Sequence, residues 1–151
     1  MTEQNTDSAP TPEGPPSIIS HVSIGSNRYD EAVAFYDQVL PTLGCRRIME
    51  HPGAVAWGKM FPEFWVQRPI DGNEASVGNG THFGFLAWSK EQVDAFHAAA
   101  LAAGGSCDGP PGPRPEYGAP YYGAFVRDLD GHKIEAAYWD QEVAAKEGLM
   151  P

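Results

Sequence analysis

The chain contains two copies of one sequence pattern, offset from each other by 61 residues. At this offset His21 aligns with His82, and Gly44 aligns with Gly105. Each copy begins with a short apolar segment, continues with helical periodicity, and closes with several short strand-like runs. A repeat at a fixed offset indicates two related structural units, and 151 residues suit one compact domain built from such halves.

The apolar pattern within each copy predicts its secondary structure. The segments "IISHVSIG" and "GTHFGFLAW" are rich in β-forming residues and predict two leading strands. A helix follows each strand, with Asn27 and Ser89 as predicted N-caps and apolar residues at helical spacing. Short strands close each copy. The predicted fold is α+β, with two tandem βαβββ units (17–70 and 79–139) that form curled mixed sheets with the helices outside.

The remaining segments and the composition limit the classes of function. Residues 1–16 are polar and proline-rich, which predicts a disordered leader, and residues 140–151 predict a short tail. The formal net charge of -10, without a basic cluster, argues against a nucleic-acid or membrane partner. No apolar run reaches the roughly 18 residues of a membrane span. Cys45 and Cys107 fit no disulfide framework, so we expect reduced thiols in a cytoplasmic protein.

Polar side chains occupy matching places in the two copies. A single strand histidine is usually structural, but His21 and His82 share one position, and pseudo-symmetry should set them facing one another. The closing strands align Gln67 with Glu135. A buried carboxylate without a partner is costly, so Glu135 either faces water or meets a group that attracts its charge. The four matching positions can all offer N or O ligands to a divalent metal.

The segment "DLDGHKIEAAYW" (128–139) predicts a tight turn followed by a short final strand. Asp128 and Asp130 are predicted to accept hydrogen bonds from backbone donors of the turn. His132 directly follows the turn, and we expect its side chain to be exposed.

Three stretches resemble a known family. The segments "FYDQVLPTLG", "GTHFGF" and "DLDGHKIEAAYW" resemble motifs of the vicinal-oxygen-chelate superfamily. This superfamily includes lactoylglutathione lyases, bleomycin-resistance proteins, fosfomycin-resistance transferases and extradiol dioxygenases. The resemblance covers residues 18 to about 139 and implies the glyoxalase-like fold. It does not imply one reaction, because this scaffold hosts many chemistries.

The resemblance also implies a metal site. The family's first, third and last ligand positions fall on His21, His82 and Glu135. Its second position falls on Gln67, or on Trp65 if the strand register shifts, whereas lactoylglutathione lyases carry glutamate there. The implied cofactor is one divalent ion: Zn, Ni, Fe, Mn or Mg. Such an ion chelates two neighbouring substrate oxygens, and Glu135 is the implied catalytic residue that also moves a proton.

Four further residues are predicted to contact the substrate. Ser23 lies two positions after His21 and should point to the same strand face. The candidate wall residues of an aromatic pocket are Trp57, Trp65, Phe85, Tyr121 and Tyr122, with ordinary core packing as the alternative for at least half of them. Of these, Trp65 and Tyr122 are predicted to contact the substrate. Arg114, in a loop rich in proline and glycine, is the predicted anion-binding residue, with a solvated loop arginine as its alternative.

The sequence therefore predicts a metal-dependent lyase or isomerase of the lactoylglutathione-lyase type, acting on a small vicinal-oxygen substrate. Two alternatives stay open: a metal-free binding protein of the bleomycin-resistance type, and a small extradiol-type dioxygenase that uses Fe(II) or Mn(II). Exposed sheet edges, together with the paired units of the family it resembles, predict a homodimer. If the units pair across chains, His21 of one subunit meets His82 and Glu135 of the other.

Overall fold

The computed structural model of the protein describes residues 17–148. The predicted leader, residues 1–16, and the last part of the predicted tail, residues 149–151, lie outside the described residues. The elements are β1 (Val22–Gly25), α1 (Tyr29–Val39), β2 (Arg46–His51), β3 (Ala54–Gly58), β4 (Phe64–Gln67), β5 (His82–Ala87), α2 (Lys90–Ala102), β6 (Ser106–Pro113), β7 (Tyr121–Arg127), β8 (Lys133–Trp139) and α3 (Gln141–Lys146). Short 3-10 turns span Leu40–Leu43 and Pro115–Tyr117. Within residues 17–148, none of the helices has the length and hydropathy of a membrane span.

The strands form two four-stranded sheets with the same internal order, β1-β4-β3-β2 and β5-β8-β7-β6. The pairs β1–β4 and β5–β8 are parallel, and the other pairs are antiparallel. One helix follows the first strand of each sheet. This arrangement confirms the predicted α+β fold of two βαβββ units. In the described part of the chain, β1 and β5 each lie at an open edge of their sheet.

Both helices bury one apolar stripe in a core that the two units share. The stripes consist of Ala32, Phe35, Tyr36 and Val39 in α1, Leu40 and Leu43 in the following turn, and Val93, Phe96 and Ala100 in α2. They follow the predicted helical spacing, since positions three and four apart lie on one face. Phe64 of β4 joins the two halves of the core: its ring lies 4.9 Å from the ring of Tyr36 and 5.0 Å from the ring of Phe85.

The two helices begin in different ways. Ser89 caps α2 as predicted, and its Oγ accepts a hydrogen bond from the backbone N–H of Gln92 at 3.1 Å. Asn27 was predicted to cap α1, and this is wrong: the N-cap is Arg28, which makes no side-chain cap bond. The Asn27 side chain instead bonds the backbone N–H and C=O of Ala75, at 2.6 and 3.2 Å. A long-range contact therefore uses the side chain that the local pattern assigned to the cap.

A buried polar cluster joins α1 to the final turn of the second unit. The Tyr36 hydroxyl donates to Asp128 Oδ2 at 2.5 Å. Oδ1 of Asp128 accepts from the backbone N–H groups of Asp130 and His132, at 3.0 and 2.9 Å, which agrees with its predicted role in the turn. The expectation that His132 is exposed is wrong, because its Nε2 lies 2.7 Å from the carbonyl oxygen of Gly25 and the residue is buried. The turn is thus a contact between the two units.

Candidate metal centre

Glu135 lies on the face of β8 that points away from α2. Its neighbours Ile134 and Ala136 are fully buried in the core shared with the helices. Successive side chains of a strand point to opposite faces, so Glu135 points the other way. The residue is nevertheless only 8% exposed. The final strand therefore holds a buried carboxylate outside the apolar core.

His82 brings an imidazole nitrogen to this carboxylate. It is the first residue of β5, which pairs in parallel with β8, and its Nε2 lies 3.3 Å from Oε1 of Glu135. Gly84 is the register partner of Glu135, and a Cβ added there would lie 3.2 Å from Oε1. The absence of a side chain at Gly84 therefore leaves room for the carboxylate. The His82 side chain is 45% exposed, so the pair opens to solvent on one side.

Tyr121 holds the other carboxylate oxygen. Its hydroxyl donates to Oε2 of Glu135 at 2.5 Å, across the antiparallel pair of β7 and β8. Burial, and next the hydrogen bond to Glu135, raises the pKa of the Tyr121 phenol above its usual value, so the phenol is a neutral donor at physiological pH. Within residues 17–148, Glu135 forms no ion pair with a lysine or an arginine.

Two cations lie beside the same face of the second sheet. Phe125 is the register partner of Glu135 on β7, and its ring lies 6.1 Å from the ring of His82. The Arg114 guanidinium lies 5.7 Å from the centre of the Phe125 ring, and the Lys133 ammonium lies 4.8 Å from it. Arg114 directly follows β6, donates to the backbone carbonyls of Gly112 and Pro110 in that strand, and is half-buried. This position is unlike that of a fully solvated loop arginine.

Tyr122 lies on the opposite face of β7 from Tyr121. Its hydroxyl donates to Asp94 of α2 at 2.8 Å, and the ammonium of Lys90 lies over its ring. The prediction that Tyr122 lines the pocket is therefore wrong for this chain, because its side chain faces the helix. Tyr121 is the tyrosine that reaches Glu135. Strand alternation across the β7–β8 hairpin is the sequence signal that distinguishes the two tyrosines.

The register of β4 changes the second predicted ligand position. β1 pairs Ser23 with Trp65 at the place where β5 pairs Gly84 with Glu135. Trp65 is therefore the equivalent of Glu135, and the predicted alignment of Gln67 with Glu135 is wrong by two residues. A shift of two residues keeps every side chain on the same face, so the apolar pattern could not detect it. The first unit carries an indole where the second carries a carboxylate.

Trp65 and Ser23 lie side by side on the first sheet. They are register partners in a parallel pair, and their neighbours along each strand point into the core. Trp65 is half-buried outside the core cluster, and its ring stacks on His51 with centres 5.9 Å apart and planes 3° from parallel. Ser23 is exposed. The face that points away from α1 therefore carries an aromatic side chain beside an exposed hydroxyl.

His21 does not join His82 and Glu135 within one chain. It directly precedes β1, is exposed, and its Nδ1 lies 3.0 Å from Oγ of Ser20. Among the described residues, no three His, Cys, Asp or Glu side chains are grouped as a metal would need. Within one described chain, His21, His82 and Glu135 therefore do not form a three-ligand group. One chain brings together His82 and Glu135, which are two of the four implied ligands.

A cavity of about 600 Å³ runs along the open edge of β5. Its walls include His82 and Phe83 of β5, Trp88 after it, and Leu40 and Lys59 of the first unit. Glu135 is not part of the lining, so the cavity reaches the His82–Glu135 pair only at the imidazole of His82. The edge of β5 thus connects His82 to an exposed apolar groove.

Comparison with known proteins places this geometry in a family. The sequence model of the glyoxalase/bleomycin resistance protein/dioxygenase superfamily matches residues 18–136 of the chain. None of the curated proteins matches the chain. A solved glyoxalase/bleomycin resistance protein from Albidiferax ferrireducens T118 is 41% identical, with a TM-score of 0.72 over 80% of this chain and 98% of that chain. A lactoylglutathione lyase from Agrobacterium tumefaciens has the same fold at 21% identity, with a TM-score of 0.57 over 82% of this chain and 95% of that one. The chain belongs to the glyoxalase/bleomycin resistance protein/dioxygenase superfamily.

Proposed function

We propose that this chain is a divalent-metal protein whose ligands are His82 and Glu135 of one copy and His21 of a second copy. The observation that carries the proposal is the 3.3 Å approach of His82 Nε2 to Oε1 of the buried Glu135. Glu135 is buried, its hydrogen-bonding neighbours are an imidazole and a neutral phenol, and within residues 17–148 it has no ion pair with a lysine or an arginine. A bound cation would therefore offset the desolvation of its charge. Two imidazoles and a carboxylate form a donor set that divalent ions bind.

The function that these residues support best is a metal-dependent lyase or isomerase of the lactoylglutathione-lyase type, acting on a small substrate with two neighbouring oxygens. When bound, a divalent ion (Zn, Ni, Fe, Mn or Mg) supplies the Lewis-acid chemistry that polarises those oxygens. The Glu135 carboxylate would also take up a proton from the adjacent substrate carbon. Tyr121 occupies Oε2, which leaves Oε1 as the oxygen that faces His82.

The substrate of this site is proposed to carry a negative charge. Arg114 lies beside the Glu135 face over Phe125, and it forms no ion pair with a carboxylate in residues 17–148. Ser23 and Trp65 of a second copy would form the facing wall. Arg114→Gln should raise KM for an anionic substrate several-fold with little change in kcat, because the charge binds ground state and transition state alike. Arg46→Gln, on exposed β2, is the matched control.

A second copy of the chain is the proposed partner. Leu86 and Trp88, on and just after the open edge strand β5, are exposed, as are Met60 and Phe61 in the β3–β4 connection. Exposed apolar side chains beside an unpaired strand edge are typical of an interface. A homodimer that covers this edge would also close the groove next to His82. Light scattering at micromolar concentration should give the mass of two chains, and the mass of one chain would contradict the proposal.

A mixing experiment tests whether the ligands come from two chains. His21→Ala and Glu135→Gln each remove one ligand, so each variant alone should bind no stoichiometric metal. In a co-expressed heterodimer of the two variants, both defects fall in one cross-chain site and the other site stays intact. One metal per heterodimer is therefore expected. If all ligands came from one chain, every site would be defective and the heterodimer would bind none.

The central test of the proposal replaces Glu135 with its neutral isostere. Loss of a hydrogen-bonding partner around a metal typically weakens binding by about 10–100-fold, and a direct ligand should matter at least as much. Glu135→Gln should therefore lose stoichiometric binding of Zn(II), Ni(II), Fe(II), Mn(II) and Mg(II) by metal analysis and calorimetry. The control is Glu63→Gln, an exposed glutamate directly before β4, which should bind metal like the parent.

The outcome also decides between classes of function. If the parent binds none of these ions, or Glu135→Gln binds them as tightly as the parent, the enzyme reading fails and the metal-free binding protein of the bleomycin-resistance type replaces it. If metal is bound, a panel of α-ketoaldehyde adducts, catechols and epoxides separates the lyase or isomerase from the dioxygenase. Ring cleavage of a catechol with Fe(II) or Mn(II) would favour the dioxygenase.

The cellular location is proposed to be the cytoplasm. Cys45 and Cys107 are both free thiols, and burial raises the pKa of the Cys45 thiol above its usual value. Reduced cysteines of this kind are the ordinary state in a reducing compartment. Localisation of a tagged full-length chain in the native host would test the proposal.

A further inference from the structure

We infer that Tyr121 is a positioning residue that makes Glu135 a metal ligand through one oxygen only. The inference rests on the proposed function and deepens it, since it concerns how the same site is shaped. Its basis is that the two oxygens of the Glu135 carboxylate have different partners. Oε2 accepts the Tyr121 hydroxyl at 2.5 Å, and Oε1 faces the imidazole of His82 at 3.3 Å.

The Tyr121 ring is fixed on several sides. It is 2% exposed, and its ring packs edge-on against the rings of Tyr117 and Trp139, with centres 5.0 and 5.2 Å away. The Tyr121 phenol also packs directly on Gly123, since a Cβ added at that glycine would overlap the Tyr121 hydroxyl. A ring held by two neighbouring aromatic rings and a glycine surface has little freedom to move. The hydroxyl is therefore directed at Oε2 by the packing, independently of any ion.

The opposite side of the carboxylate is shaped by a second glycine. Oε1 lies over Gly84, which is the register partner of Glu135 and is exposed. One oxygen is thus enclosed by a phenol, and the other is left over an open glycine beside a half-exposed imidazole. A hydrogen bond to one oxygen of a ligating carboxylate fixes its orientation and tunes the ligand. An ion that approaches from the His82 side would meet Oε1 alone.

The chain supplies a matched control in the next residue. Tyr122 has the same side chain on the same strand, but its hydroxyl donates to Asp94 on the helix side. Tyr121→Phe and Tyr122→Phe each remove one phenolic hydroxyl and one hydrogen bond to a carboxylate. Only the first change affects the Glu135 carboxylate. A difference between the two variants therefore reports the position of the hydroxyl and not the loss of a tyrosine.

The test uses the full chain loaded with Co(II), with affinity from calorimetry and coordination from the visible absorption of the ion. Tyr121→Phe should weaken Co(II) binding by about 10–100-fold. The absorption bands of Co(II) in this variant should shift and lose intensity, because Oε2 of Glu135, no longer bonded to the phenol, becomes a second ligand atom. Tyr122→Phe should reproduce the parent in both measurements. Gly123→Ala keeps the phenol but displaces its hydroxyl, and it should behave like Tyr121→Phe.

The outcomes separate this inference from the function on which it rests. If the parent binds Co(II) and Tyr121→Phe matches it in affinity and spectrum, the inference is overturned while the metal site stands. If the parent binds no ion, the proposed function and the inference fall together. Circular dichroism shows whether the Tyr121→Phe variant is folded like the parent. If that variant does not fold, Gly123→Ala decides, and parent-like binding and spectra in it would equally overturn the inference.

Discussion

Removal of one hydroxyl from the core should weaken the contact between the two units. In Tyr36→Phe, Asp128 keeps two backbone donors at Oδ1 and loses its donor at Oδ2. Tyr36 is fully buried and Asp128 is 6% exposed, so little room exists for water to replace the lost bond. Hydrogen bonds to charged groups contribute about 1.5–3 kcal/mol. We expect the free energy of unfolding at pH 7 to fall by about 2–3 kcal/mol, in the upper part of that range.

The size of this loss should depend on pH. Burial raises the folded-state pKa of Asp128, and the hydrogen bond from Tyr36 lowers it. Without the hydroxyl, the folded-state pKa of Asp128 rises further, so the variant is penalised most where the carboxyl is ionised. The penalty shrinks as the pH falls through the raised folded pKa toward the ordinary aspartate pKa, because both folded proteins then take up the proton. The difference between variant and parent should be largest near neutrality and smallest near pH about 3.

Urea unfolding, followed by circular dichroism and tryptophan fluorescence, measures this difference by linear extrapolation. Tyr122→Phe is the control, because it loses a hydroxyl that bonds Asp94 at the surface, and we expect a change within about 0.5 kcal/mol. A loss in Tyr36→Phe no larger than that of the control would refute the reasoning. So would a loss that stays constant from neutral to acid pH.

Three further substitutions test other parts of the fold. Asp37→Asn should lower the free energy of unfolding at pH 7 by about 1 kcal/mol or less, because the Arg47 pair is partly exposed. The hydrogen bond from Arg47 lowers the pKa of Asp37. The stability that this bond adds is therefore present above the unfolded-state pKa and is lost as the pH falls through the folded-state pKa. Urea unfolding should show the effect of the substitution at pH 7 and not near pH about 2. Phe64→Ala opens a cavity between the units and should cost about 3–5 kcal/mol in the same assay, and a value near zero would mean that the units do not share a core. Ser89→Ala removes the cap of α2 and should cost about 1 kcal/mol, with Ser106→Ala, at the exposed start of β6, as the control that stays unchanged.

The helices could be predicted because their signals are local. The apolar stripes, the Ser89 cap and the left-handed Gly44 at the end of the first helical segment all depend on residues within a turn or two. Asn27 was assigned to the wrong contact because its partner, Ala75, lies 48 residues away. His132 was expected to be exposed because its partner belongs to the other unit. Contacts between distant parts of the chain leave no local pattern that a sequence argument can use.

The candidate site could be predicted in its residue types but not in its register. The repeat matched His21 with His82 and Gln67 with Glu135, and of these residues His82 and Glu135 do meet. The choice between Gln67 and Trp65 required the hydrogen-bonded pairing of β1 with β4, which periodicity alone cannot supply. Tyr121 was one of the candidate aromatic wall residues, and it lies on the Glu135 side of β7. Distinguishing it from Tyr122 requires strand alternation to be counted across the hairpin, because aromatic content is the same for both.

The two units carry unlike groups at equivalent positions, because Trp65 occupies in the first the place of Glu135 in the second. A cleft formed by a first unit on one side and a second unit on the other therefore has no two-fold symmetry. The second unit contributes the Glu135 carboxylate, and the first contributes the indole of Trp65 stacked on His51. A substrate with two neighbouring oxygens would lie in such a cleft in one orientation, with a single prochiral face toward the carboxylate. Proton transfer from that face alone would give a chiral product as one enantiomer.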